Sequence, residues 1–184
     1  MLAQITIFLI DTVVTFFVYL LLARFHFQWL RAPFHNPAGE FILAGTSWLV
    51  MPVRRVIPGL AGLDIPTLLL AWVIQTLGIW AQIEVIGGEP RLIPIAAVAL
   101  VDLMRFSVYI LMAAVLVQAV LSWFHTYTPF ASVLDALTRI FLRPLRRLIP
   151  PLGGFDLSPL VLLVLLQVLL IPLSYGRTLV ARML

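Results

Sequence analysis

Four stretches of this chain stay apolar for longer than a soluble fold can hide. They are Ile5–Ala23, Ile65–Ile86, Pro94–Phe124 and Leu157–Tyr175. At 1.5 Å rise per residue, each helix would cross about 30 Å of hydrocarbon. The expected fold class is therefore an all-α membrane protein with four transmembrane helices. Composition agrees: the chain is 62% hydrophobic and 11% charged, with mean hydropathy +1.11. Soluble chains run at about 45–50% apolar and about 25% charged. No charged or Gly/Ser-rich stretch encodes a second, soluble domain.

The chain punctuates these runs clearly. Met1–Gln4 has no Arg or Lys, the first apolar run is too long for a signal peptide, and no Ala-x-Ala site follows it. It reads as a retained span. Asp11 is its only ionisable residue, and Arg24, Trp29 and Arg31 then mark a membrane interface. Asn36-Pro37 starts a helix over 38–51 that lies in the interface or dips into it, ended by Pro52-Val53-Arg54-Arg55. Gly59–Gly62 is a turn, and Asp64 caps the second span. Gly87-Gly88-Glu89-Pro90 is the strongest breaker and divides the chain into 1–88 and 89–184. The third span holds Asp102 and Arg105, three residues apart on one face. Thr128-Pro129 repeats the cap-plus-proline signal. The segment 131–143 is amphipathic, with Val133, Leu137, Ile140 and Phe141 facing away from Asp135, Arg139 and Arg143. A Gly153-Gly154 turn follows, and Asp156 caps the fourth span, which carries Pro172 near its end.

The second half repeats the first. A shift of about 92 residues aligns Asn36-Pro37 with Thr128-Pro129, Thr46 with Thr138, and Asp64 with Asp156. It also aligns Pro52-Val53-Arg54-Arg55-Val56-Ile57-Pro58 with Pro144-Leu145-Arg146-Arg147-Leu148-Ile149-Pro150, and Gln75 with Gln167. Trp29 matches Trp123 if the first half has two extra residues before Asn36. Each unit holds two spans around an interfacial helix. An even number of spans makes the two repeats parallel, unlike the inverted repeats of rocking transporters. Arginines crowd the first and third connections, while the middle one has Arg91 beside Glu84 and Glu89. The positive-inside rule puts the Arg-rich loops in the cytoplasm and both termini outside, with Arg177 and Arg182 counting against it.

The Pro-x-Arg-Arg-x-Ile-Pro block, a small-Gly turn, an Asp and an apolar helix resemble the YGGT repeat. Two copies over nearly the whole chain resemble the YggT family (YlmG-like) of integral membrane proteins. The first copy departs mildly, with Ala61 for Gly153 and Pro66-Thr67 for Ser158-Pro159. The resemblance implies a bacterial inner-membrane protein linked to osmotic or ion homeostasis and, in relatives, to cell division and nucleoid organisation. It supplies no catalytic residues.

The residues that could carry function are few. Arg54, Arg55, Arg146 and Arg147 orient the chain and can bind anionic lipid headgroups or a partner. The flanking prolines would lock each pair into a rigid corner. Asp64 and Asp156 are helix caps that can also pair with those arginines. Asp11, Asp102 and Arg105 are ionisable groups inside spans, where they are costly. Asp102 and Arg105 can pair with each other. Asp11 has no local partner, and Arg105 could serve it across helices. Gln75 and Gln167 can hydrogen-bond between helices. His26, His35 and His125 lack metal-ligand spacing, and cysteine is absent. No hydrolase, P-loop, zincin or dinucleotide motif is present, so an enzyme and a cofactor are not expected. All 12 basic residues are Arg, and they flank spans, so no direct nucleic-acid contact is expected. Two functions remain: a membrane organiser or adaptor that binds lipid, a membrane-protein partner or its own copies, and a small channel or transporter. The channel reading requires the five intramembrane polar residues to converge.

Overall fold

The computed structural model describes residues 1–59, 62–124, 129–149 and 156–182. Six helices account for most of them: α1 (Leu2–Trp29), α2 (Pro37–Val56), α3 (Ile65–Val85), α4 (Leu92–Phe124), α5 (Pro129–Leu148) and α6 (Ser158–Ala181). Helices α1, α3, α4 and α6 are long and apolar enough to span a bilayer; α2 and α5 are not. The chain is a multi-pass membrane protein with four spans. The turn at Gly153-Gly154, the cap at Thr128, Pro150 and His125 lie outside the described residues.

The spans pair within each half, α1 with α3 and α4 with α6, and α3 against α4 joins the halves. Small residues let membrane helices approach closely. Gly78 of α3 does this against α1: a Cβ there would stand 2.6 Å from Val14 Cγ1. The first spans of the two halves run in the same direction. Tyr19 and Phe106 rings meet at 5.0 Å, and further along Leu20 and Phe27 cluster with Ala114 and Leu121. That cluster also takes Ile42 from α2 and Val133, Leu134 and Leu137 from α5, so both connecting helices seal the same end of the bundle.

Helix α2 starts as its sequence dictates. Asn36 Oδ1 accepts the Gly39 amide at 3.0 Å, and Pro37 takes the first helical position, where no N–H is needed. Its end differs from the sequence expectation. The helix continues past Met51 to Val56 with Pro52 inside, and α5 continues past Arg143 to Leu148 with Pro144 inside. The arginine pairs are therefore not held in proline-locked corners. They occupy the last turn of each helix. A proline inside a helix costs about 3 kcal/mol or more, but cations in a last turn meet the negative end of the helix dipole. Helix α6 likewise runs through Pro172 to Ala181 rather than stopping at Tyr175.

The two connecting helices present different outer surfaces. Phe41, Trp48 and Met51 are exposed on α2, so its free face is apolar. On α5 the exposed residues include Arg139, Arg143, Arg146 and Arg147. Val133 and Leu137 are buried as expected, but Ile140 is exposed beside these arginines instead of facing inward. At the midpoint of the chain, Gly87 takes a left-handed φ of 73°, which turns the chain out of α3.

Candidate polar sites

At the sealed end, α1, α2 and α3 converge on one carboxylate. Asp64 is 1% exposed and sits at the start of α3. Its side chain does not cap that helix, because no first-turn amide reaches it. Arg54 claims it from α2, with Nε donating at 3.2 Å and Nη2 at 2.5 Å. Thr67 donates its hydroxyl to the same carboxylate. Arg54 also donates to Gln28 Oε1 on α1 at 2.7 Å. Arg24 stands behind them, only 4% exposed, with Nε 4.0 Å from Asp64. Its Nη1 donates to Thr46 at 2.8 Å and Ser47 at 3.2 Å. A residue expected at the membrane interface is thus also buried within the protein. Burial without partners would be prohibitive, and these three partners supply the compensation.

The second half builds the same frame without the buried charge. Arg146 Nε donates to Asp156 at 2.8 Å, but these side chains are 43% and 38% exposed. Asp156, one residue before the N-cap Leu157, also accepts the Ser158 amide at 2.9 Å, so here the carboxylate reaches the first amide of its helix. Partial burial raises the Asp156 carboxyl pKa, but hydrogen bonds from Ser158 and the Arg146 charge outweigh it and hold it below the usual carboxylate range. Thr138 donates to Gln118 on α4, as Thr46 accepts from Arg24 on α1. Gln118 thus stands where the first half has Arg24. In each pair one arginine is committed to its aspartate. Arg55 and Arg147 are exposed and make no ion pair among the described residues.

The intramembrane residues gather only in part. Asp102, on α4, is buried at 2% exposure. Arg105 donates to it at 3.2 Å from one turn along, and Gln75 at 3.3 Å from α3. Arg177 of α6, which the sequence offered only as a counterweight to topology, donates to both carboxylate oxygens at 2.6 and 3.3 Å. Arg105 also reaches the Tyr109 hydroxyl at 3.4 Å. Gln75 Oε1 and Arg105 Nε remain buried without partners among the described residues. The other two candidates lie elsewhere. Asp11 is exposed and accepts from Gln82 at 3.2 Å, not from Arg105. Gln167 is exposed on α6 and makes no hydrogen bond among the described residues, so it does not pair with Gln75. The five do not converge on one cavity.

This twice-built frame carries a family pattern. A family model described as CCB3/YggT matches residues 3–82 and again residues 97–175. The chain belongs to the CCB3/YggT family. It is 34% identical over 164 residues to an uncharacterised YggT protein of Escherichia coli K12, covering 88% of this chain and 85% of that one. An uncharacterised protein of Pseudomonas aeruginosa is 32% identical, covering 84% and 80%. Another from Vibrio alginolyticus is 33% identical, covering 87% and 88%. No solved structure matches. The two matched segments start 94 residues apart, the offset that aligns Arg24 with Gln118. That offset was the available signal for Arg24: a long polar side chain stands at one place in both first spans, opposite the repeated Thr46 and Thr138.

Proposed function

We propose that this chain is a non-enzymatic organising protein of the bacterial inner membrane. Its α2–α5 end faces the cytoplasm and its termini face outside. There Arg55 and Arg147 engage anionic lipid headgroups or a membrane-protein partner, in support of envelope and osmotic homeostasis or cell division. The observation that carries this reading is the split fate of each arginine pair. Arg54 and Arg146 are committed to aspartates, which leaves Arg55 and Arg147 as exposed cations at matching ends of two helices. Cations near a cytoplasmic leaflet contribute about 1 kcal/mol each toward anionic lipid. Native mass spectrometry of detergent-purified protein with added phosphatidylglycerol tests it. Arg55→Gln with Arg147→Gln should lower lipid retention, with phosphatidylcholine unaffected. Equal retention by wild type and variant would remove headgroup binding. A C-terminal reporter with a cytoplasmic readout would reverse the orientation.

The Asp102 cluster favours a second reading, a small channel or transporter. Ionisable groups from α4 and α6, with two unpartnered polar atoms beside them, are what an ion path would use. Proteoliposome flux separates the two. Robust wild-type ion flux that Asp102→Asn abolishes would favour transport over the organiser.

A further inference from the structure

We propose that a second copy of this chain packs against α6 about a two-fold axis along the membrane normal, with Gln167 meeting its own counterpart. An apolar helix face needs no protein cover in lipid. An amide does, because hydrocarbon offers no hydrogen-bond partner. Gln167 is the tenth residue of the 24-residue α6, so neither end of the span brings it to water. It is exposed, and nothing among the described residues covers it.

The repeat says what this position does when covered. The equivalent Gln75 is buried where α3 meets α4, and it donates across that contact. One turn before it, Trp72 donates its ring N–H to Ala96 of α4. The same face of the second half, Val164 and Gln167, is exposed, with no helix upon it among the described residues. The face also has the spacing of a helix-pairing seam. Leu160, Val164, Gln167 and Ile171 recur at intervals of four, three and four, and all four are exposed. A single polar residue within such a seam sets register and partner number. A glutamine amide carries both donors and an acceptor, so two copies satisfy each other. A two-fold axis along the normal puts both amides at one depth by symmetry, and the same patch serves both subunits.

Because the chain has no cysteine, single substitutions report this contact directly. Val164→Cys and Ile171→Cys, each alone, should form disulfide-linked dimers on oxidation in dilute proteoliposomes. Leu77→Cys, equally exposed on α3, should not. Adding Gln167→Leu to Val164→Cys should weaken association by about threefold to tenfold, and Gln167→Asn should largely restore it. A monomer by single-molecule photobleaching, with no cross-link at either seam position, would overturn the proposal. So would Gln167→Leu leaving the dimer yield unchanged.

Discussion

Removing the Asp64 carboxylate should destabilise this protein more than removing any other single charge. The reason lies in Arg24. Arg54 is 38% exposed at its side chain and can swing into water when its partner is lost, but Arg24 is 5% exposed and cannot. Across the 4.0 Å that separates Arg24 from Asp64, an effective dielectric of about 20 gives roughly 4 kcal/mol. Breaking one side of a buried pair costs about 3–5 kcal/mol for the same reason: the surviving charge stays desolvated. Asp64→Asn should therefore cost about 3–5 kcal/mol in reversible unfolding from mixed detergent micelles. Arg24→Gln should cost much less. It copies the Gln118 of the second half, keeps a partner for Thr46, and leaves Asp64 bound by Arg54 and Thr67. In the double variant the stranded charge is gone, so the combined cost should fall well below that of Asp64→Asn alone. A double-mutant cycle reads this coupling directly. Additive costs, or an Asp64→Asn penalty under about 1 kcal/mol, would refute the picture of Arg24 as a captive charge.

Two other perturbations follow from the fold. Gly78→Ala puts a methyl group 2.6 Å from a carbon of Val14, whose branched side chain turns poorly, and should cost about 1–3 kcal/mol in the same assay. Asp156 has a lowered folded pKa, so its contribution is complete above the unfolded carboxylate range and is lost as pH falls through the folded value. Wild type should be more stable than Asp156→Asn at neutral pH, with the gap closing in acid. A gap that is constant with pH would contradict this.

How far the sequence could be read depended on the scale of the signal. Four spans, two parallel repeats and the Asn36 cap were legible, because apolar length and turn chemistry act locally. The ends of α2 and α5 were not. Proline penalises a helix in isolation, and only the Arg54–Asp64 and Arg146–Asp156 pairs, each ten residues apart in sequence, tie the last turn of the helix to the next span. The burial of Arg24 was not legible, because an arginine beside Trp29 reads the same whether it faces headgroups or packs between helices. Its burial depends on Thr46, Ser47 and Asp64 arriving from two other helices. Asp102 and Arg105 were correctly paired, but Arg177 joins them from a helix 75 residues away, beyond any local pattern.

The two halves also answer differently to their surroundings. One latch closes around a carboxylate sealed from water, and dissolved ions barely reach it. The other, Arg146 with Asp156, is wet, and counter-ions compete for both partners. Rising salt should therefore weaken the Arg146–Asp156 pair more than the Arg54–Asp64 pair, while the apolar packing of α5 on α6 is untouched. Duplication has left this protein with one dry latch and one wet one, and dissolved ions reach only the second.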